Sequence, residues 1–477
     1  MSVIELPARE TVNVPERSLC GWGRTAPSHA QVHDAHDPER VQDLLATAAR
    51  RRVGAIARGA GCSYGDAAQS SGGIVIDTSA AKRVVAIDPV ARTVTAEPGA
   101  TIAELLSRLA AHGLTLPVLP GTRHVTLAGA LASDIHGKNH HRDGAIARHV
   151  VSLTLCTPGL GTVCLTPESD PELLYATLGG MGLTGVILEA TLRVVELPSP
   201  WVSADLDRTE NLAGTLALLA GEERHRYSVA WLDMLTGGSG YGRAVVSRAD
   251  PLPAAAAPAI GRTARRARPY PQALLRPPLA GVPEGFPGGL LHPAAMRAFN
   301  ELYWRASRRR EREKPLALAP YFFPLDVVGA WNRLYGRGGL IQYQFVIPTG
   351  EKEALERSFA LMRARRLPVY LAVFKRFGAA FGGPLSFPLE GWTLAIDVPG
   401  GVAGVRETLD ELDELVAACG GRVYLTKDSR MRADAVRAMY PRLDAFHEQR
   451  RRADPDGVLR SDLARRLRLC EEIGACA

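Results

Sequence analysis

Arg58-Gly59-Ala60-Gly61-Cys62-Ser63-Tyr64-Gly65-Asp66 follows a short β-type run, Ala55-Ile56-Ala57, and decides how the first half of the chain is read. Its three glycines let successive backbone N–H groups converge on an anion without side-chain obstruction, and a diphosphate fits such a nest. The dinucleotide fingerprint G-x-G-x-x-G is not met: the third glycine comes four residues after the second, and no amphipathic helix opens at Tyr64. A ligand-free tight turn has the same composition, so both readings stand at this point.

Working outward, Asp37 caps and Pro38 opens a predicted helix running to Arg52, with Val41, Leu44, Leu45 and Ala48 on one apolar stripe and Gly54 beyond its end. Strand-like runs follow at residues 73–77, 84–87 and 93–96. Thr101 and Glu104 have capping-box spacing ahead of Leu105, Leu106 and Leu109. Strands and helices mix without a strict βαβ alternation, so the first 200 or so residues read as α+β or α/β. The glycine-dense 178–187 enters a further β-like run, either as a helix end or as backbone lying close to a ligand.

A second motif, Asp134-Ile135-His136-Gly137-Lys138-Asn139-His140-His141, follows the small-residue run 127–133. Small residues let a backbone lie against a flat ring, while His, Lys and Asn supply donors to its polar edge. His136 and His140 are four apart, as two metal ligands on one helix would be. Gly137 weakens that helix and no nearby carboxylate completes a set, so no metal is expected; buried structural histidines remain the alternative for His140 and His141.

In the second half, residues 340–348 alternate Ile341, Tyr343, Phe345 and Ile347 against Gln342, Gln344 and Val346. A helix over 351–365, strands at 369–375 and 392–398, a helix over 405–418 and a strand at 423–427 complete the order β-α-β-β-α-β, the split βαβ arrangement. Both helices cover one face of such a sheet and leave the other for a ligand. Alternation puts Gln342, Gln344 and Lys375 on that face, with Thr393 and Ala395 if their strand pairs in step. Lys427 falls at the end of the last strand, in the polar cluster 427–430.

The chain has 477 residues, 46% hydrophobic and 22% charged, which excludes disordered and fibrous classes. A surplus of +7 over this length is too thin for a dedicated nucleic-acid binder. Seven scattered cysteines without a C-x-x-C pair read as reduced thiols. The first 18 residues lack a secretory pattern, and no run of about 18 apolar residues is present for a membrane span. A cytoplasmic or peripheral membrane location is expected; the periplasm would need a route the sequence does not show. Ten of the 33 prolines lie between Pro251 and Pro293 with Arg262, Arg265, Arg266, Arg268 and Arg276, so this stretch is read as a surface loop or flap. The short basic clusters 308–310, 450–452 and 465–466 read as solvated helix faces.

These motifs carry a resemblance. With Gly21-Trp22-Gly23-Arg24-Thr25-Ala26-Pro27, Leu119-Pro120-Gly121-Thr122-Arg123, Gly182-Leu183-Thr184-Gly185, the 342–348 strand and Lys427-Asp428-Ser429-Arg430, the chain resembles flavin oxidoreductases of the vanillyl-alcohol oxidase superfamily over nearly its whole length. Among them it is most similar to those oxidising a lipid-linked phosphoribose. The resemblance implies a two-domain α+β fold. Residues 1–198 form a PCMH-type FAD-binding domain, 199–421 a substrate domain with an antiparallel split-βαβ sheet and the 251–293 flap, and 422–477 return to the first domain.

It further implies that Arg58, Gly59, Ala60, Gly61, Cys62, Ser63, Tyr64, Gly65 and Asp66 grip the FAD diphosphate. Gly121, Thr126, Leu127, Ala128, Gly129, His136, Gly137, Lys138, Asn139, His140, His141, Ile187 and Tyr424 contact the flavin nucleotide. Trp231, Gln342, Gln344, Lys375, Thr393 and Ala395 line the substrate side, with Lys427 and His136 as catalytic residues. Lys427 then stands beside the reacting hydroxyl, as base or as an ammonium stabilising charge. The implied reaction takes the C2′ hydroxyl of a polyprenylphosphoryl ribose to a ketone, with a short-chain NAD-dependent reductase completing epimerisation to an arabinose donor. Free alditols, aldonolactones and sugar nucleosides are the alternative substrates. Cys62 stands where covalent members carry histidine, so FAD is expected to be non-covalent. Ala128, Thr393 and Ala395 also depart from the resembled sequences, where glycine, asparagine and cysteine are found.

Overall fold

In a computed structural model, which describes residues 14–35, 37–221, 223–256, 274–286 and 291–470, Asp37 accepts from the backbone N–H of Arg40 at 2.7 Å and opens the helix Pro38–Arg51. Thr101 and Glu104 close the predicted capping box on Ile102–Ala110. Helices and strands are mixed in an α+β chain. Ser28–Asp34, Ile74–Asp77 and Ala55–Arg58 run parallel, with Glu16–Leu19 antiparallel at the edge. The glycine loop therefore leaves the carboxyl end of a parallel strand, where open α/β sheets place their ligands. A five-stranded antiparallel sheet follows in the order Val84–Asp88, Thr93–Ala96, Val186–Arg193, Val150–Thr157, Gly161–Leu165.

Strands from Trp201 onward build an eight-stranded sheet. Its order is Arg310–Ala317, Trp201–Thr209, Arg243–Pro251, Tyr227–Asp233, Leu371–Phe377, Gly391–Pro399, Leu340–Pro348, Arg422–Val423. The last four are antiparallel neighbours in the order of a split βαβ unit, and four strands the sequence reading did not place extend it. Lys352–Ala364 and Val405–Ala418 pack Leu355, Phe359, Leu409 and Leu412 against Ile341, Tyr343, Phe345 and Ile347, forming the largest core on one sheet face.

Two expectations change. The final strand is Arg422–Val423 rather than 423–427, because the Thr426 carbonyl accepts from the backbone N–H of Tyr64 at 3.0 Å. The chain turns there, with Lys427 N–H donating to Tyr424 O. The second sheet face carries neither of these two helices but is closed to water: Gln342 is 9% exposed, Gln344 3% and Thr393 0%. The glycine loop and the histidine segment cover it.

In the proline-rich stretch the described residues hold one 3₁₀ turn, Ala254–Ala256, and a two-residue strand, Ala280–Gly281, paired with Val328–Gly329. Residues 257–273 and 287–290, with Arg262, Arg265, Arg266 and Arg268, lie outside the described residues. Pro293 opens a helix, Pro293–Ala306, that the sequence reading did not anticipate.

Candidate active site

The glycine loop and the turn carrying Lys427 are built onto each other. A β-carbon on Gly59 would stand 2.1 Å from Thr126 Oγ1, and one on Gly65 1.9 Å from the Asp428 carbonyl, so only glycine allows either approach. Gly61 takes φ +64°, the left-handed region. Trp22 and Gly23 donate their N–H groups to the carbonyls of Ser63 and Tyr64 at 2.8 and 2.9 Å. Lys427 Nζ sits 4.1 Å above the Tyr64 ring. Arg466 clamps the arrangement from behind, reaching Asp66 through two nitrogens and Asp428 through one. Arg58 donates to the carbonyls of Ala68 and Cys20, which holds the loop's shape and turns its guanidinium to the backbone.

The histidine segment approaches from the opposite side. Asp134 opens it at φ +41°, its carboxylate taken by Ala147 N–H and the Ser386 hydroxyl. A β-carbon on Gly137 would meet Leu119 O at 2.9 Å, so the 119–121 stretch lies directly beneath it, while Gly121 faces open space. His136 is buried in an aromatic box of Phe377, Phe387 and Tyr424. Tyr424 in turn donates to Ser133 O at 2.6 Å. Gln344 Nε2 reaches both His136 Nε2 at 3.0 Å and Thr393 Oγ1 at 3.2 Å, while Thr393 donates to Phe345 O. An amide nitrogen only donates, so His136 Nε2 accepts and its proton sits on Nδ1, a buried atom with no protein partner. Burial holds this imidazole well below the usual histidine range, and Lys375 adds to the effect, so it stays neutral.

His140 Nδ1 accepts from Gly378 N–H, and His141 Nε2 contacts His225 O. Asn139 donates to Pro117 O. His136 lies in a bridge to Ala145 and His140 begins the four-residue helix His140–Asp143, so the two do not share a helix face as paired ligands would. Among the described residues no group of three or more His, Cys, Asp or Glu is placed to hold a metal. Leu127 and Ile187 turn their side chains into a hydrophobic core. Ala128 and Gly129 continue the short helix that Thr126 begins. Lys138 donates to Tyr321 O and lies over that ring.

The sheet register gathers the predicted substrate residues. Ala395 pairs with Gln344 on one side and Val373 on the other; Thr393 pairs with Val346 and Lys375; Trp231 pairs with Val373. All share one face by the period of two. The same register adds a residue the sequence reading missed. Asp397 faces Gln342, whose Nε2 donates to its Oδ1 at 2.5 Å, while Oδ2 is buried without a protein partner. The available signal was alternation alone: Thr393, Ala395 and Asp397 are successive same-face positions, and an acid in a buried apolar strand calls for a reason.

Burial disfavours charge throughout this enclosure. It raises Asp397 to about 6, partly offset by Gln342 and Lys427. Lys427 and Lys375 both fall to about 8, burial acting first and, at Lys375, the Lys427 charge next. Lys138 falls to about 7 by burial and the Lys375 charge. The Cys62 thiol rises to about 11 by burial, which keeps it protonated. At neutral pH the face thus holds one carboxylate and two ammoniums, a pairing able to take a proton at one point and steady negative charge at another.

These features fit a flavin nucleotide. The glycine loop offers backbone N–H groups at a cradle that β-carbons would fill, and across from it His136 Nδ1–H is an orphaned buried donor. Residues 30–166, which contain both motifs, match the FAD binding domain family. The decaprenylphosphoryl-β-D-ribose oxidase of Mycolicibacterium smegmatis is 41% identical over 98% of this chain and 100% of its own length. The L-gulono-1,4-lactone dehydrogenase of Mycobacterium tuberculosis is 28% identical over 95% of this chain and 98% of its own. The chain belongs to the decaprenylphosphoryl-β-D-ribose oxidase family and is an FAD-dependent oxidoreductase.

Proposed function

We propose that this enzyme oxidises the C2′ hydroxyl of a polyprenylphosphoryl-β-D-ribose to the 2′-keto sugar, the first half of epimerisation to an arabinose donor. The observation that carries the reading is the enclosed polar face on which the free oxygen of Asp397 joins Lys427 and Lys375, opposite the FAD-binding glycine loop. The whole-length likeness to an oxidase named for that substrate supports it. Bound FAD supplies a two-electron acceptor for the hydride leaving C2′.

The protein's share is binding, orientation and proton handling. Asp397, fixed through Oδ1 by Gln342, takes the hydroxyl proton on Oδ2, and general-base help of this kind contributes roughly 10²–10⁴-fold. Lys427 remains an ammonium and steadies the negative charge that develops on the C2′ oxygen, so the base and the cation are separate residues. His136, neutral and boxed by aromatic rings, holds Gln344 in place and keeps water from that corner. Lys375 and Lys138 supply the cations that a phosphodiester requires. A thiol held at about 11 and no histidine at position 62 accord with non-covalent FAD.

Within this reading residues 1–198 are the FAD-binding domain and 199–421 the substrate domain, in a vanillyl-alcohol oxidase-like arrangement. The sheet partition near residue 200 supports that boundary. Past the sheet strand Arg422–Val423, the described residues to 470 reach back to the first domain, supported by Arg460 N–H donating to Ala55 O and Arg466 clamping Asp66. The keto product calls for reduction by a separate short-chain NAD-dependent enzyme, and a lipid-linked substrate calls for a peripheral seat at a membrane. Among the described residues no helix is long and apolar enough to cross one.

Anaerobic mixing of the yellow holoenzyme with a short-prenyl phosphoryl ribose tests the substrate directly. The flavin absorbance bleaches with that compound and persists with free alditols or aldonolactones. Bleaching by the free sugars alone would transfer the activity to the alternative class.

A further inference from the structure

The helix Pro293–Ala306 is turned inside out. Its inward side is polar: Asn300 donates to Asp233 at 2.9 Å, Trp304 Nε1 donates to Thr209 O at 3.1 Å, and the Trp304 ring lies against the guanidiniums of Arg208 and Arg243. Arg297 donates to Leu235 O at 3.3 Å. The outward side is apolar: Phe299 is 55% exposed, Leu302 70% and Tyr303 42%, positions that one helical face brings together. Asn300 is the one buried residue among its 14. A helix facing only water carries the opposite pattern.

Two further observations identify what covers this face. Residues 297–310 hold five arginines against one glutamate, Glu301, a local excess of four positive charges. An apolar face rimmed by arginines complements an interface that is apolar within and anionic at its surface. The exposed rings also connect to the enzyme's interior. Phe299 stacks on Tyr303 at 6.2 Å, and Tyr303 meets Trp231 edge-on at 4.7 Å. Trp231 belongs to the sheet face that carries Lys375 and Asp397.

We infer that the 293–306 helix and the arginines following it dock the enzyme on the surface of a bilayer containing anionic lipid. Phe299 and Leu302 enter the acyl boundary, Arg309 and its neighbours meet the head groups, and the ring path to Trp231 opens the substrate face toward the membrane. The last step rests on the lipid-linked substrate proposed above; the docking itself does not.

Flotation of the holoenzyme with vesicles tests it. Wild type rises with vesicles of phosphatidylglycerol and phosphatidylcholine, stays down with phosphatidylcholine alone, and is released by salt. Leu302→Glu and, separately, Arg309→Glu each reduce the floated fraction roughly tenfold. Both retain FAD, and both bleach with the soluble short-prenyl substrate at the wild-type rate if the substrate reading holds; if neither they nor wild type bleach, that reading fails and flotation still decides the docking. The inference is overturned if wild type fails to float or if Leu302→Glu floats as wild type does. It is equally overturned if light scattering finds a wild-type dimer that Leu302→Glu splits, since the face then joins two copies of this chain.

Discussion

Lys427 Nζ stands 4.1 Å from the centre of the Tyr64 ring, so the proposed charge-steadying cation is seated on the loop proposed to hold the FAD diphosphate. The two are locked at backbone level by Tyr64 N–H on Thr426 O. On the proposed assignments, binding of FAD and placement of the charge-steadying cation form one mechanical unit.

Removing the ammonium while leaving that backbone intact should separate the two functions. Lys427→Ala keeps its yellow colour and loses flavin reduction by roughly 10²–10³-fold, the scale of one preorganised electrostatic contact. Anaerobic stopped-flow absorbance measures both; a variant reduced at the wild-type rate would show that the cation does not face the reacting oxygen.

The pH dependence follows from one carboxylate and two ammoniums shifted in opposite directions. As pH falls through about 6, Asp397 gains a proton and can no longer accept one. As pH rises through about 8, Lys427 and Lys375 lose their charges. The rate of flavin bleaching is thus expected to form a bell with its plateau between these limits. Asp397→Asn flattens the acid limb and lowers the plateau, and retention of that limb in the variant would assign it elsewhere.

The same carboxylate carries a stability cost. Its folded value near 6 lies above the unfolded value of 3.8, so between these the folded protein binds a proton that the unfolded chain has released. Stability therefore falls as pH rises through this window, and the cost is complete above about 6. Asp397→Asn removes it, raising unfolding free energy by about 3 kcal/mol at pH near 8 and leaving it nearly unchanged at pH near 4. Equilibrium denaturation at the two pH values measures the difference; equal gains at both would mean that packing, not ionisation, had changed.

What the sequence made legible was local. Asp37 and Thr101 announced their caps through side chains acting within one turn, and the alternation at 340–348 announced which residues share a face. Lys427's neighbourhood was not local: its strand ends early because a carbonyl is claimed by Tyr64, more than 300 positions away in the chain. Asp397 escaped for a related reason, since its partner Gln342 lies on another strand and only the register brings them opposite. The 293–306 helix escaped because its polar face is the buried one, which reverses the pattern that sequence reading relies on.

Gly59 offers the sharpest test of the cradle. A β-carbon there would lie 2.1 Å from Thr126 Oγ1 and 3.1 Å from Thr126 Cβ, so Gly59→Ala must push the loop and the start of the Leu127–Ala132 helix apart. The protein is expected to fold, because the eight-stranded sheet and its core lie elsewhere, but to purify with little FAD. Thr126→Ala in the same chain removes the hydroxyl that causes the closest clash and leaves a 3.1 Å contact that small shifts can absorb. The double variant should then recover bound flavin, read from the ratio of visible to ultraviolet absorbance, while Thr126→Ala alone stays yellow. A colourless double variant would mean that Gly59 is needed for backbone donation to the diphosphate itself and not for room beside Thr126.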